Sequence, residues 1–186
     1  MLRLSVKGWK FALAAAFVGG ASFLCTVVVG LYLSGPLLPS FDEVRASHRL
    51  SDAVLLDRHG SVIHEMRVDP TGRRLEWIGL ADISPALARS VVAAEDRRFH
   101  EHGGVDWGAL GVSLARHVAS GGTRGASTIS MQLASRLDQT ATPRGARRTL
   151  KEKLRQVSAA LALERAWSKG EILEAYLNLI TFRGEL

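Results

Sequence analysis

The sequence predicts a mainly α-helical domain that follows an N-terminal transmembrane helix and a small β-rich spacer. Three observations predict it. Phe11–Leu33 contains no charged residue. Two short apolar-rich runs, Ala53–Asp57 and Val62–Arg67, are separated by Arg58-His59-Gly60-Ser61. From Ser84 onward, apolar residues recur at helical spacing in every long segment.

The apolar N-terminal run comes first. About 23 residues at roughly 1.5 Å each are enough to cross a bilayer core. Arg3, Lys7 and Lys10 precede the run, so the N-terminus is expected in the cytoplasm and the remainder outside it. A cleaved signal peptide would have a shorter apolar region and a small-residue cleavage site, which is not evident here. Ser34-Gly35-Pro36 then ends the helix and begins a linker. The two runs at 53–67 read as a hairpin, and Arg74–Ile78 as a third strand. His59 and His64 read as surface residues, because no acidic or cysteine partner lies at metal-binding spacing. The organisation expected is therefore a cytoplasmic tail (1–10), a transmembrane helix (11–33), a linker with a β-rich spacer (34–79) and a helical domain (80–186).

Ser84-Pro85 is an N-cap followed by proline in the first helical turn. Leu87, Val91 and Ala94 share one face of the helix that follows. Val105–Ala119 carries Trp107, Leu110, Leu114 and Val118 at helical spacing. That stripe is either core or an interfacial surface with Trp107 as its anchor. The glycine-rich run Gly121–Thr128 leads into a helix on which Ile129, Leu133 and Leu137 share a face. Backbone N–H groups at such a start can bind phosphate, although no Walker-type Gly-Lys-Ser/Thr is present. Arg147–Trp167 reads as a long helix with Leu150, Leu154, Val157 and Leu161 as its buried stripe. Its first turns hold Arg147, Arg148, Lys151, Lys153 and Arg155, which oppose the helix dipole unless an anion sits nearby. Ser168-Lys169-Gly170-Glu171 is a capping box, which gives Glu171 a structural role.

Composition narrows the function. The 186-residue chain carries a formal charge of +6, which suits anionic lipid headgroups or a phosphorylated substrate. Nucleic acid is disfavoured, because the charge would lie beyond the membrane. The lone Cys25 sits within the apolar run and excludes an intrachain disulfide or a thiolate metal site. The stretch Glu95–Asp106 concentrates the chemistry: Glu-Asp-Arg-Arg-Phe-His-Glu-His-Gly-Gly-Val-Asp. Glu95 ends the apolar run Val91–Ala94, where burial would suit a carboxylate to proton transfer. On these residues alone, a helix end with solvated charges explains the pattern equally well.

The wider pattern resembles a family. Glu95-Asp96-x-x-Phe99-x-x-His102-x-Gly104 resembles the first motif of the peptidoglycan glycosyltransferases of family 51. These form the lysozyme-like domain of class A penicillin-binding proteins and of monofunctional transglycosylases. Gly125-Ala126-Ser127-Thr128-x-x-x-Gln132-Leu133 resembles the second motif, and Arg148-x-x-x-x-Lys153 the third. Lys169-x-Glu171-Ile172-Leu173-Glu174-x-Tyr176-Leu177-Asn178 resembles the fourth. The likeness covers roughly Leu80 to Leu186 and is closest to the C-type branch.

The resemblance implies a transferase that polymerises lipid II into glycan strands, with Glu95 as general base. Lys153 and Arg148, with Arg136, Ser127 and Thr128, would stabilise the pyrophosphate leaving group. Asp96, Arg97, His102, Gln132 and Gln156 complete the implied substrate-binding set, with Phe99 as a structural support. No motif demands a cofactor, although a divalent cation at the pyrophosphate would be compatible. The implied setting is a bacterial inner membrane, crossed once, with the catalytic domain on the periplasmic side. The implied partners are lipid II, the growing strand, the bilayer and other cell-wall synthesis proteins.

Two positions depart from the family pattern. Gln156 stands where many relatives carry a second glutamate, and glutamine can neither shuttle a proton nor bind a cation by charge. Ser135 stands where a basic residue is expected. Arg136 is one place late, about 100° round a helix. Arg183-Gly184-Glu185-Leu186 falls where a fifth motif should continue, so further helices are expected to follow and the domain reads as incomplete at its C-terminal end. Apolar faces such as Leu173–Leu177 would then be partly uncovered. The competing reading is a truncated, non-catalytic membrane-anchored scaffold or precursor-binding protein. A lysozyme-class hydrolase fits less well, because its leaving group would need no cations.

Overall fold

A computed structural model describes the backbone of residues 6–70, 74–120, 127–138 and 149–180, and the side chains there except at 6–17, 21, 24, 114, 117–120 and 150. The expectations for Leu114 and Val118, for the stripe position Leu150, for Gly121–Ala126 and for Arg147 and Arg148 therefore lie outside the described residues, as does the C-terminal run 181–186.

Helix α1 (Val6–Leu33) is continuous over the expected apolar run. Among the described residues, however, no helix is long and apolar enough to cross a membrane. The part of α1 with described side chains begins only at residue 18, and a crossing needs about 20 apolar residues. The expected span at Phe11–Leu33 therefore lies partly outside the residues whose side chains are described. The end of α1 is fastened to the body. The Arg165 guanidinium donates to the Tyr32 carbonyl and lies 4.2 Å from the Tyr32 ring centroid. Gly35 passes so close to α6 (Leu150–Ala166) that a Cβ there would stand 2.7 Å from the Ala162 Cβ.

Helix α2 (Phe41–Ser47) starts at a capping box formed by Ser40 and Glu43. The hairpin forms as expected. Strands β1 (Asp52–Leu56) and β2 (Val62–Arg67) pair antiparallel, with Asp52 opposite Arg67 and an irregularity between Leu55 and Leu56. The Asp57 carboxylate accepts from the His59 and Ser61 amides and shapes the turn. His59 and His64 are exposed.

The expected third strand at Arg74–Ile78 does not form. The Asn178 amide takes both backbone groups of Ile78, donating to its carbonyl at 2.9 Å and accepting from its N–H at 2.9 Å. Glu174 accepts from the Trp77 indole at 2.7 Å and the Leu80 amide at 2.8 Å. With those groups satisfied by α7 (Lys169–Leu179), no strand partner is needed. Trp77 and Trp167 both pack edge-on against Phe41, so this segment, α2 and the end of α6 share one aromatic cluster.

The core is built on α5 (Ile129–Leu137), which packs against α6 and α7. Ile129, Met131, Leu133 and Ala134 are fully buried there, against Val157, Ala160 and Leu163 of α6 and Ile172, Ala175 and Tyr176 of α7. The α6 stripe is rotated from the expected one. Val157 and Leu161 are buried, but Leu154 is exposed, and Gln156, Ala159, Ala160 and Leu163 fill the contact face. Leu173–Leu177 is not left uncovered: Leu173, Ala175 and Tyr176 are buried and Leu177 is half-buried.

Helix α3 (Pro85–Glu95) has Pro85 in its first turn, but the Ser84 hydroxyl makes no cap bond. It lies on the rim of the core. Val91 is buried, whereas Leu87 and Ala94 of the expected face are exposed. Helix α4 (Trp107–Ser120) also lies outside the core, with Trp107 and Val112 exposed and Leu110 half-buried.

The loop between α3 and α4 is tightly held. Phe99 and Val105 are buried, and Gly104 has φ +98°. A Cβ at Gly104 would stand 2.8 Å from the Ala160 carbonyl oxygen of α6. Gly104→Ala is therefore expected to cost about 2 kcal/mol or more, from backbone strain plus the displaced helix. Thermal unfolding reads it as a fall in Tm, and an unchanged Tm would show that the close approach is absent.

Arg98 and Asp106 brace the same loop. The guanidinium Nε donates to Asp106 at 2.8 Å, and Asp106 also accepts from the Ala109 amide in the first turn of α4. The Arg98 hydrogen bond, then the Ala109 amide, lowers the Asp106 carboxyl from 3.8 to about 2. A carboxyl lowered on folding stabilises above its unfolded value and loses that contribution as pH falls. Asp106→Asn is thus expected to lower Tm at neutral pH and to flatten the part of the acid loss that falls between pH 3.8 and about 2. A pH series of melting curves for both proteins checks it.

Candidate active site

Glu95 is the last residue of α3 and is exposed, so the burial expected of it is absent. It is nonetheless held. Gln132, one turn into α5, donates from Nε2 to Glu95 Oε2 at 2.9 Å. The buried Tyr176 hydroxyl of α7 donates to Gln132 Oε1 at 3.1 Å. Three elements distant in sequence thus meet at one carboxylate.

The neighbouring Asp96 has a different role. It is buried, and its carboxylate is 3.1 Å from His102 Nε2 and accepts from the Ile129 amide at 3.1 Å. It therefore caps the N-terminus of α5 and ties the α3–α4 loop to it. Thr128 caps the same helix, accepting from Met131 N–H at 3.1 Å and donating to the Gly104 carbonyl at 2.6 Å. Two amides of the expected phosphate cradle are thus already engaged by protein groups. Two polar atoms beside them have no hydrogen-bond partner among the described residues: Ser127 Oγ and His102 Nδ1, both buried. Of this group of implied binding residues, these two keep a polar atom without a described partner, His102 beside Asp96.

The cationic side is set by α6. Thr149 and Glu152 form a capping box at its start, which supplies the acidic residue that the dipole favours. Lys153 donates to Gln156 Oε1 at 3.0 Å. Gln156 is buried and donates from Nε2 to the Met131 carbonyl of α5 at 3.0 Å. A carboxylate at 156 would meet that carbonyl with no proton to offer, so glutamine fits this position. Arg155 is engaged by Asp138, at 2.6 and 3.1 Å. Arg136 and Arg97 are exposed, and Ser135 bonds back to Met131. Arg97 lines an open cleft of about 300 Å³ between α3 and Leu173 of α7, with Arg89 and His100. Arg148 lies outside the described residues.

Beneath the site lies a buried ionic cluster. Lys169 donates to Glu164 Oε1 at 2.7 Å and to the His102 carbonyl at 2.7 Å, and stands 4.4 Å from the Phe99 ring centroid. The buried Ser130 hydroxyl also donates to Glu164. Glu171 is the cap expected of it, its carboxyl held below the ordinary range by the Ser168 amide and then the Ser168 hydroxyl. Sequence reasoning missed Glu164, Ser130 and the hydroxyl of Tyr176. Tyr176 alone left a signal: a tyrosine among buried apolar positions needs a partner for its O–H. Among the described residues, no group of three or more His, Cys, Asp or Glu side chains could hold a metal.

A family model described as Transglycosylase matches residues 59–186, more than half of the chain. This chain belongs to the transglycosylase family. Its likeness extends to proteins named in that family. A biosynthetic peptidoglycan transglycosylase of Mannheimia succiniciproducens is 40% identical over 107 residues, covering 58% of this transglycosylase-family chain and 42% of that protein. One of Pectobacterium atrosepticum is 33% identical over 157 residues, covering 84% of this chain and 60% of that protein. Penicillin-binding protein 2D of Bacillus subtilis is 29% identical over 182 residues, covering 97% of this chain and 24% of that protein. The transglycosylase-family chain thus spans about 42% of the length of the first of these relatives.

Proposed function

We propose that this chain is a peptidoglycan glycosyltransferase, or the N-terminal part of one, that extends glycan strands from lipid II. The observation that carries the reading is the solvent-facing Glu95 carboxylate, held at one oxygen by Gln132 beside the Asp96–His102–Thr128 lock. Family membership and the relatives' names support it.

In this reading Glu95 removes the proton from the acceptor sugar's 4-hydroxyl. That oxygen attacks the donor's anomeric carbon as the bond to undecaprenyl pyrophosphate breaks, with inversion. One glycosidic C–O bond forms and one C–O bond to phosphate is lost. Lys153, Arg148 and Arg136 supply positive charge for the departing pyrophosphate, and the Ser127 hydroxyl offers it a hydrogen bond. Phe11–Leu33, uncharged and preceded by Arg3, Lys7 and Lys10, would anchor the chain beside its membrane-bound substrate.

Product analysis tests the reaction class. Labelled lipid II incubated with the detergent-purified chain should give a ladder of lengthening glycan. Shortening of preformed strands would make the chain a hydrolase. Precursor binding without turnover would make it a scaffold.

A further inference from the structure

We infer that Tyr176 is a positioning residue for the Glu95 carboxylate and acts through the Gln132 amide. The inference rests on the proposed transferase reading and gives a role to Tyr176, which the fourth motif includes without assigning it one.

Glu95 lies at an exposed helix end, where its side chain has several rotamers open to it. Gln132 narrows that choice, but only if Nε2 faces the carboxylate. An amide turned over would set its oxygen against the charge. Gln132 is only half-buried, so packing alone leaves both orientations accessible. Tyr176 is 1% exposed and fixed within α7, and its hydroxyl meets Gln132 Oε1 at 3.1 Å. With the amide oxygen engaged by a phenol, the amide nitrogen is left for Glu95, at 2.9 Å. The buried tyrosine thus transmits the rigidity of the core to a surface carboxylate.

The test compares the full chain with Tyr176→Phe, Gln132→Met and the double variant in lipid II polymerisation. Tyr176→Phe keeps the ring that packs in the core, and melting curves establish that each variant folds. The expected loss in kcat is about tenfold for Tyr176→Phe, with KM within about twofold, as for one lost positioning bond. The double variant should be no slower than Gln132→Met alone, because Tyr176 acts through Gln132. A wild-type kcat for Tyr176→Phe would overturn the inference. So would a double variant whose loss is the product of the two single losses. A folded wild type without activity would overturn the transferase reading, an undiminished Glu95→Gln would overturn Glu95 as its base, and either would overturn this inference with it. Those two outcomes are read before any Tyr176 variant, so the two failures are distinguishable.

Discussion

Lys169→Met is expected to destabilise the protein by about 2–3 kcal/mol. The lysine ties three things together at the base of the site. It donates to the Glu164 carboxylate of α6, to the His102 carbonyl of the α3–α4 loop, and lies over the Phe99 ring. Without it, the Glu164 carboxylate, with a side chain only 9% exposed, keeps the Ser130 hydroxyl alone among its described partners. An uncompensated buried charge costs about 3–5 kcal/mol. The 26% exposure of the Lys169 side chain lowers that figure, because water already shares in its solvation. Adding Glu164→Gln should restore part of the loss, since the double variant no longer buries a bare charge. Denaturant melts of the three variants check both statements. A stable Lys169→Met would show that the cluster does not hold the loop.

Glu95→Gln is expected to lower glycan polymerisation by about 10²–10⁴-fold, the usual contribution of a general base. The substitution is nearly isosteric and lies on the surface, so stability should change by no more than about 0.5 kcal/mol. Its amide oxygen can still accept from Gln132, which preserves the local geometry. Loss of turnover with an unchanged Tm therefore reads out the chemistry of the carboxylate and not the fold. Thr128 and Asp96 behave differently. Both cap α5, so replacing either would lower activity and stability together.

What the sequence made legible was mostly local. The hairpin and the Ser168–Glu171 capping box follow from spacing and end signals within a few residues, whereas the long helix expected from Arg147 begins after the Thr149 N-cap. What it hid depends on contacts far along the chain. Arg74–Ile78 alternates well enough for a strand, yet Asn178 and Glu174 take its polar groups from about 100 residues away. The face of α6 was misjudged because α5 and α7 select it, favouring Ala160 and Leu163 over the larger Leu154. Glu95 was expected at a buried edge, since a short apolar run precedes it. In the fold Val91 is the one buried residue of that helix, with Ala88 and Val92 half-buried against the core, which leaves the carboxylate in solvent. The family motifs marked Asp96 and Thr128 as site residues, but their hydrogen bonds build the site's floor. Motifs report that a residue belongs to a site; only the geometry separates a group that faces substrate from one that holds the loop.

The measurement that tests the central claim most directly is polymerisation of labelled lipid II by the purified chain, run beside Glu95→Gln at matched protein concentration. Glycan growth by the wild type and none by the variant is the predicted result. It would establish a working transferase whose base is Glu95 and in which Gln156 is tolerated. Equal growth by both proteins would contradict the assignment of Glu95. No growth by a folded wild type would contradict the claim that this chain is itself a catalyst.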